Sequence, residues 1–147
     1  MRAATLSMIG NRSWSSAAYG SFPSIPLPCD NDQSTPRPAF CIGSDPFHTP
    51  PLVQVAVDGL RNKGYSVEEN RPYKGASVPM KFYEEKNHRV ASIMVEVNRS
   101  LYMDESAGTK TSTFDIIREQ IRSLLSSIRE FHELHQPDAR GDWCGRT

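Results

Sequence analysis

Val90-Ala91-Ser92-Ile93-Met94-Val95-Glu96-Val97 carries the strongest structural signal in the sequence. It is a nearly continuous apolar run rich in β-branched residues, the composition of a strand covered on both faces of a sheet, and so predicts a central strand. Alternation puts Ser92, Met94 and Glu96 on one face and Ile93, Val95 and Val97 on the other. One residue breaks the apolar pattern. Glu96 falls at the C-terminal end, where an α/β sheet opens onto its ligand crevice. A carboxylate leaving water there must be paired, bound to metal or kept for proton transfer, because unpaired burial is costly. An ion pair with Arg99 is the structural alternative.

The flanking sequence supplies the helices. Leu52, Val55, Ala56, Gly59 and Leu60 recur at helical spacing after Thr49, a suitable cap, and Pro50, suited to the first turn. Gly64 signals the stop. Residues 65–69 alternate as a short strand before the Asn70-Arg71-Pro72 break, so helix and strand form an αβ unit. Downstream, Phe114, Ile117, Ile121, Leu124, Leu125, Ile128 and Phe131 recur at steps of three and four, with Ser112 or Thr113 at the N-cap position. They predict a long amphipathic helix whose polar side is solvated. The fold class is therefore α/β, a mixed sheet covered by helices.

Outside this unit the chain changes character. Residues 1–21 hold no Asp or Glu, are rich in Ser and Ala, and read as an N-terminal segment without regular structure; a transit peptide is the less favoured reading. Pro23, Pro26, Pro28, Pro36 and Pro38 make residues 22–38 an extended loop. Residues 22–136 form the folded unit, and residues 137–147 read as a flexible tail.

Composition narrows the partners. Seventeen basic and 17 acidic residues cancel in the 147-residue chain, and aromatics are not interleaved with the basic residues, so nucleic acid is not expected. No stretch approaches the roughly 18 apolar residues of a membrane span, and no apolar leader opens the chain. A soluble, cytoplasmic protein is the expectation. Cys29, Cys41 and Cys144 are odd in number and irregularly spaced, which favours reduced thiols over a disulfide framework.

Few groups could carry chemistry. Arg71, in Asn70-Arg71-Pro72-Tyr73-Lys74-Gly75, has the planar fork that grips carboxylates, and Tyr73 could donate to a developing oxyanion. An ordinary polar turn with Tyr73 on the core is the competing reading. His132 and His135 lie three apart and read as solvated histidines at a helix end, not as a zinc site. His48 reads as orienting a loop through Asp45 or capping the following helix. A new metal site combining His48, His132, His135 and Glu96 has no diagnostic spacing behind it.

Cys41-Ile42-Gly43-Ser44-Asp45-Pro46-Phe47-His48-Thr49-Pro50, Asn70-Arg71-Pro72-Tyr73-Lys74-Gly75, Val78-Pro79-Met80 and Ile93-Met94-Val95-Glu96-Val97-Asn98-Arg99-Ser100-Leu101-Tyr102-Met103-Asp104-Glu105 resemble, in order and spacing, the N-formylglutamate amidohydrolase family over residues 22–131. The resemblance implies a zinc-carboxypeptidase-like (phosphorylase/hydrolase-like) fold. It also implies that a metal-bound water cleaves N-formyl-L-glutamate to formate and glutamate, a step of histidine breakdown. Carried over, it makes Glu96 the general base and assigns Arg71, Tyr73, Asn98 and Arg99 to substrate binding.

The departures from the family are as informative. Its first two metal ligands have no counterpart ahead of Phe22, and its third, a histidine before a Ser-Phe-Pro-like sequence, is replaced by Gly20 ahead of Ser21-Phe22-Pro23. Zinc or another divalent metal therefore belongs to the parent family, and none is expected to be held by this chain. An incomplete domain from a truncated or frame-disrupted reading of a longer gene, inactive alone toward its N-acyl amino acid, is the leading expectation. The alternative is a non-catalytic module that binds an acidic small molecule or a partner subunit, with self-association through an exposed sheet edge.

Overall fold

A computed structural model describes residues 4–9, 14–45, 50–78, 80–84 and 90–135 of the chain. In chain order the elements are β1 (Ala4–Ile9), β2 (Trp14–Phe22), β3 (Phe40–Gly43), α1 (Pro50–Arg61), β4 (Val67–Glu69), α2 (Met80–Glu84) and β5 (Val90–Asn98). A 3-10 turn (Arg99–Leu101) and the short pair β6 (Met103–Asp104) and β7 (Thr109–Lys110) lead into α3 (Phe114–Leu134). Five strands form one mixed sheet in the order β1-β2-β5-β3-β4. The apolar run is thus central, parallel to β2 and antiparallel to β3.

The sheet separates two environments. On one face Ile93, Val95, Val97, Phe40, Ile42 and Val67 meet Leu52, Ala56 and Leu60 of α1, and α1 in turn packs on α3 through Ile117, Leu124 and Ile128. The α1 pattern read in the sequence is this buried stripe. Full burial of each such aliphatic side chain contributes about 1.5–3 kcal/mol. The chain turns out of α1 at Gly64, where φ is +85°, a conformation that a side chain would resist. It then enters β4 parallel to β3, completing a β-α-β crossover.

On the other face, where Glu96 lies, backbone of the segment after β4 packs on β3 and β5. Gly43 approaches the 70–78 segment so closely that a Cβ there would stand 2.2 Å from the Gly75 carbonyl oxygen. Ser92 Oγ donates to the Ser77 carbonyl at 2.8 Å, fastening the same segment further along β5.

The largest departure from the sequence reading is at the N-terminus. Residues 1–21 were expected to lack regular structure, yet β1 and β2 occupy most of that span. Their order comes from pairing: β2 runs beside β5 from Trp14↔Val90 to Phe22↔Asn98, and β1 pairs antiparallel with β2. Ala17 and Ala18 are buried, so small side chains suffice for this strand once its neighbour supplies the hydrogen bonds and apolar surface. The 65–69 strand begins two residues later than expected, at Val67. The expected flexible tail, Thr49 and His48 lie outside the described residues. Among the described residues no helix is long and apolar enough to cross a membrane.

Candidate functional site

Gly20, Glu96, Cys41 and Glu68 lie side by side across β2, β5, β3 and β4 on the face away from α1. The Glu96 carboxylate occupies the space a side chain on residue 20 would need: a Cβ there would stand 2.5 Å from Oε1 and 2.8 Å from Oε2. Glycine is therefore what lets the carboxylate lie across β2. Burial raises the Glu96 pKa above the ordinary glutamate range, and the positive charge of Arg99 partly opposes the rise. No hydrogen-bond donor among the described residues reaches this carboxylate. It is a partly desolvated acid with open acceptor positions.

Its neighbour Cys41 is inert by comparison. The thiol is fully buried and donates to the Tyr73 carbonyl at 3.2 Å. Burial pushes its pKa up to about 11, so it is neither a nucleophile nor an anionic ligand near neutrality. The backbone of Tyr73 thereby lies over Cys41, one strand away from Glu96.

The expected substrate-binding residues sit around this row in three different situations. Asn98 is buried, with Oδ1 accepting from Ser100 N at 3.1 Å and Ser100 Oγ at 2.9 Å while Nδ2 donates to the Pro38 carbonyl at 3.1 Å. Its amide closes the strand end, with both its oxygen and its nitrogen hydrogen-bonded within the chain. Arg99 reaches back to β2, with Nε 3.4 Å from Ser21 Oγ and Nη2 3.5 Å from the Ser21 carbonyl, contacts long enough to leave donor capacity free.

Arg71 and Tyr73 lie on a cavity of about 720 Å³ between the 29–34 and 70–74 segments. Asn70 builds the turn that presents them: its φ is +56°, and its Oδ1 accepts from Ser44 N and Gly75 N. Arg71 Nε lies 3.0 Å from Asp32 Oδ2 and Nη1 2.5 Å from Glu68 Oε1, while Nη2 donates to Ser34 Oγ and the Pro36 carbonyl. The fork does grip carboxylates, and in this structure both belong to the chain. Tyr73 donates its hydroxyl to Asp30 Oδ1 at 3.2 Å and sets its ring edge-on against Phe22. Asp30 also holds the buried Arg37 at 2.7 Å. Sequence reading missed Asp30 and Asp32; their partners are up to 43 residues away, and no local signal links them.

The histidines fall elsewhere. His132 was expected to be solvated at the helix end, but it is 2 % exposed, and burial lowers its pKa while Glu133 opposes the shift. It continues the buried Ile117, Leu124, Ile128 stripe one turn further, which the spacing from Ile128 could have shown. His135 stacks on Phe131 with centroids 4.2 Å apart. His132 lies in the last turn of α3 and His135 caps its C-terminus, and His48 is outside the described residues. No group of three or more His, Cys, Asp or Glu among the described residues could hold a metal ion. The metal implied by the sequence resemblance does not fit them.

The N-formylglutamate amidohydrolase family model matches residues 11–103, a span that opens ahead of β2 and closes in β6. That start corrects the expectation that the resemblance begins at Phe22. The crystal structure of N-formylglutamate amidohydrolase from Ralstonia eutropha JMP134 is similar at a TM-score of 0.61 and 27% identity, over 78% of this chain. The chain spans 42% of that structure's length. No curated protein matches. With the Glu96 strand, its β2 neighbour and the Asn70 turn all inside the matched span, the chain belongs to the N-formylglutamate amidohydrolase family.

Proposed function

We propose that the Glu96 face is the amide site of an N-formylglutamate amidohydrolase-like hydrolase, acting on N-formyl-L-glutamate or a related N-acyl amino acid. The observation that carries this reading is Glu96 itself: a carboxylate at the C-terminal end of the central strand, raised in pKa by burial and with no donor on its oxygens among the described residues. Such a group takes a proton from the water that attacks the amide carbonyl and returns it to the leaving amine. Arg71 supplies the grip on a substrate carboxylate, with Tyr73 beside it and Arg99 near the base. The neighbour's name supports the choice of N-formylglutamate. A zinc-carboxypeptidase-like arrangement of the sheet belongs to the same proposal.

Metal activation of that water is the family expectation, but the described residues offer no donor set and Gly20 offers no side chain. We therefore propose that the chain alone binds the substrate and does not turn it over. That no donor set stands among the described residues also favours the second reading, a non-catalytic module for acidic small molecules. Two measurements on the purified chain separate them: calorimetry with N-formylglutamate, and a formate assay with and without added zinc. Binding altered by Glu96→Gln supports the amide site. Binding that is indifferent to Glu96→Gln supports the module, and formate release would contradict inactivity of the chain alone.

A further inference from the structure

Arg71 already holds carboxylates, and the one on its Nε is supplied from 39 residues away by the opposite wall of the cavity. Asp32 and Arg71 are each about a quarter exposed, at 24% and 29% of their side chains, so a solute entering the cavity reaches both. The cavity is also cationic in a second place. Lys74 is exposed on the same lining and has no anionic partner among the described residues. Asp32 would not be stranded if it let go, because its Oδ1 still accepts from Ser34 N and Ser34 Oγ at the open surface.

We infer that Asp32 is an internal stand-in for the substrate carboxylate: it occupies the Arg71 fork until an anionic ligand displaces it, and so sets the affinity of the subsite. This rests on the reading of the cavity as the carboxylate end of the amide site. Tyr73, on the same lining, has its carbonyl on Cys41, the strand neighbour of Glu96, which ties the cavity wall to the row that carries the base. Glu68 remains on Nη1 in either state and keeps the guanidinium oriented. A ligand carboxylate therefore has to replace one ion pair, not two.

Calorimetry on the whole chain tests the inference with N-formylglutamate and with its uncharged dimethyl ester. Asp32→Asn is expected to bind the diacid about fivefold tighter than wild type, the size of one partly exposed ion pair removed from competition. The ester gains nothing. Adding Arg71→Lys to Asp32→Asn abolishes the gain, since an ammonium lacks the fork. In the unmutated chain the Arg71 Nε–H resonance moves as the diacid saturates, which keeps the test independent of any variant's folding. Equal or weaker diacid binding by a folded Asp32→Asn, or an unmoved Arg71 resonance at saturation, overturns the stand-in while leaving the amide site intact. Failure of both wild type and Asp32→Asn to bind the diacid overturns the inference and the proposed function together.

Discussion

Gly20 faces Glu96 directly across the β2–β5 pairing, and the Glu96 carboxylate lies over the bare glycine backbone. The position of the candidate base is thus set as much by what residue 20 lacks as by the strand that carries Glu96. Gly20→Ala forces the carboxylate out of its seat, since 2.5 Å is closer than any Cβ–oxygen contact can be. Turned toward solvent, Glu96 loses part of its burial, and its pKa falls back toward the ordinary range. Carboxyl carbon NMR of the Glu96 side chain reads this; an unchanged titration in Gly20→Ala would show that the seat does not set the acidity.

The raised pKa of Glu96 makes a statement about stability. Folding favours its protonated form, so the penalty for burying the charge is absent below the unfolded pKa and complete above the folded one. Glu96→Gln removes a cost at neutral pH and nothing in acid. Its melting temperature is expected to exceed wild type at pH 7 and to converge with it as pH falls from the raised folded value to the ordinary glutamate range. A gap of the same size at all pH values would point to packing in place of charge.

Gly43 tests how the 70–78 segment is seated on β3. A Cβ at this position meets the Gly75 backbone at 2.2 Å, and backbone cannot swing aside as a flexible side chain can. Gly43→Ala is expected to cost about 1–3 kcal/mol in chemical denaturation, the range for overpacking. It also raises hydrogen exchange across residues 70–78. A neutral substitution would mean that this segment is only loosely seated on β3.

Asn98 separates architecture from recognition. Its buried amide satisfies Pro38 and Ser100, so Asn98→Ala leaves buried polar groups without partners, at about 1–3 kcal/mol. Once the loss of folded protein is corrected for, affinity for N-formylglutamate is expected to match wild type. Weaker binding by fully folded Asn98→Ala would return this residue to the ligand site.

The parts of this fold that could be read from sequence are those whose signal is local. The apolar run ending at Glu96, the stripe of Leu52, Ala56 and Leu60, and the long α3 pattern each announce burial through their own periodicity. β2 could not be read that way. Ala17, Ala18 and Gly20 carry little apolar surface, and their strand exists because β5 lies beside it. The site divides along the same line. Glu96 stood out as a charge in an apolar strand and Arg71 as a fork after a turn, but Asp32 and the seat at Gly20 emerge only when residues 39 and 76 positions apart meet. His132 was misplaced because its polarity outweighed its position one turn beyond Ile128.

Soaking a crystal of the chain with N-formylglutamate locates the ligand relative to Glu96 and Arg71. The ligand is expected on the sheet face that carries Glu96, its amide carbonyl beside that carboxylate with room for one water and its own carboxylate on Arg71. Ligand density elsewhere on the chain, with the Glu96 face and the Arg71 fork undisturbed, would contradict this placement.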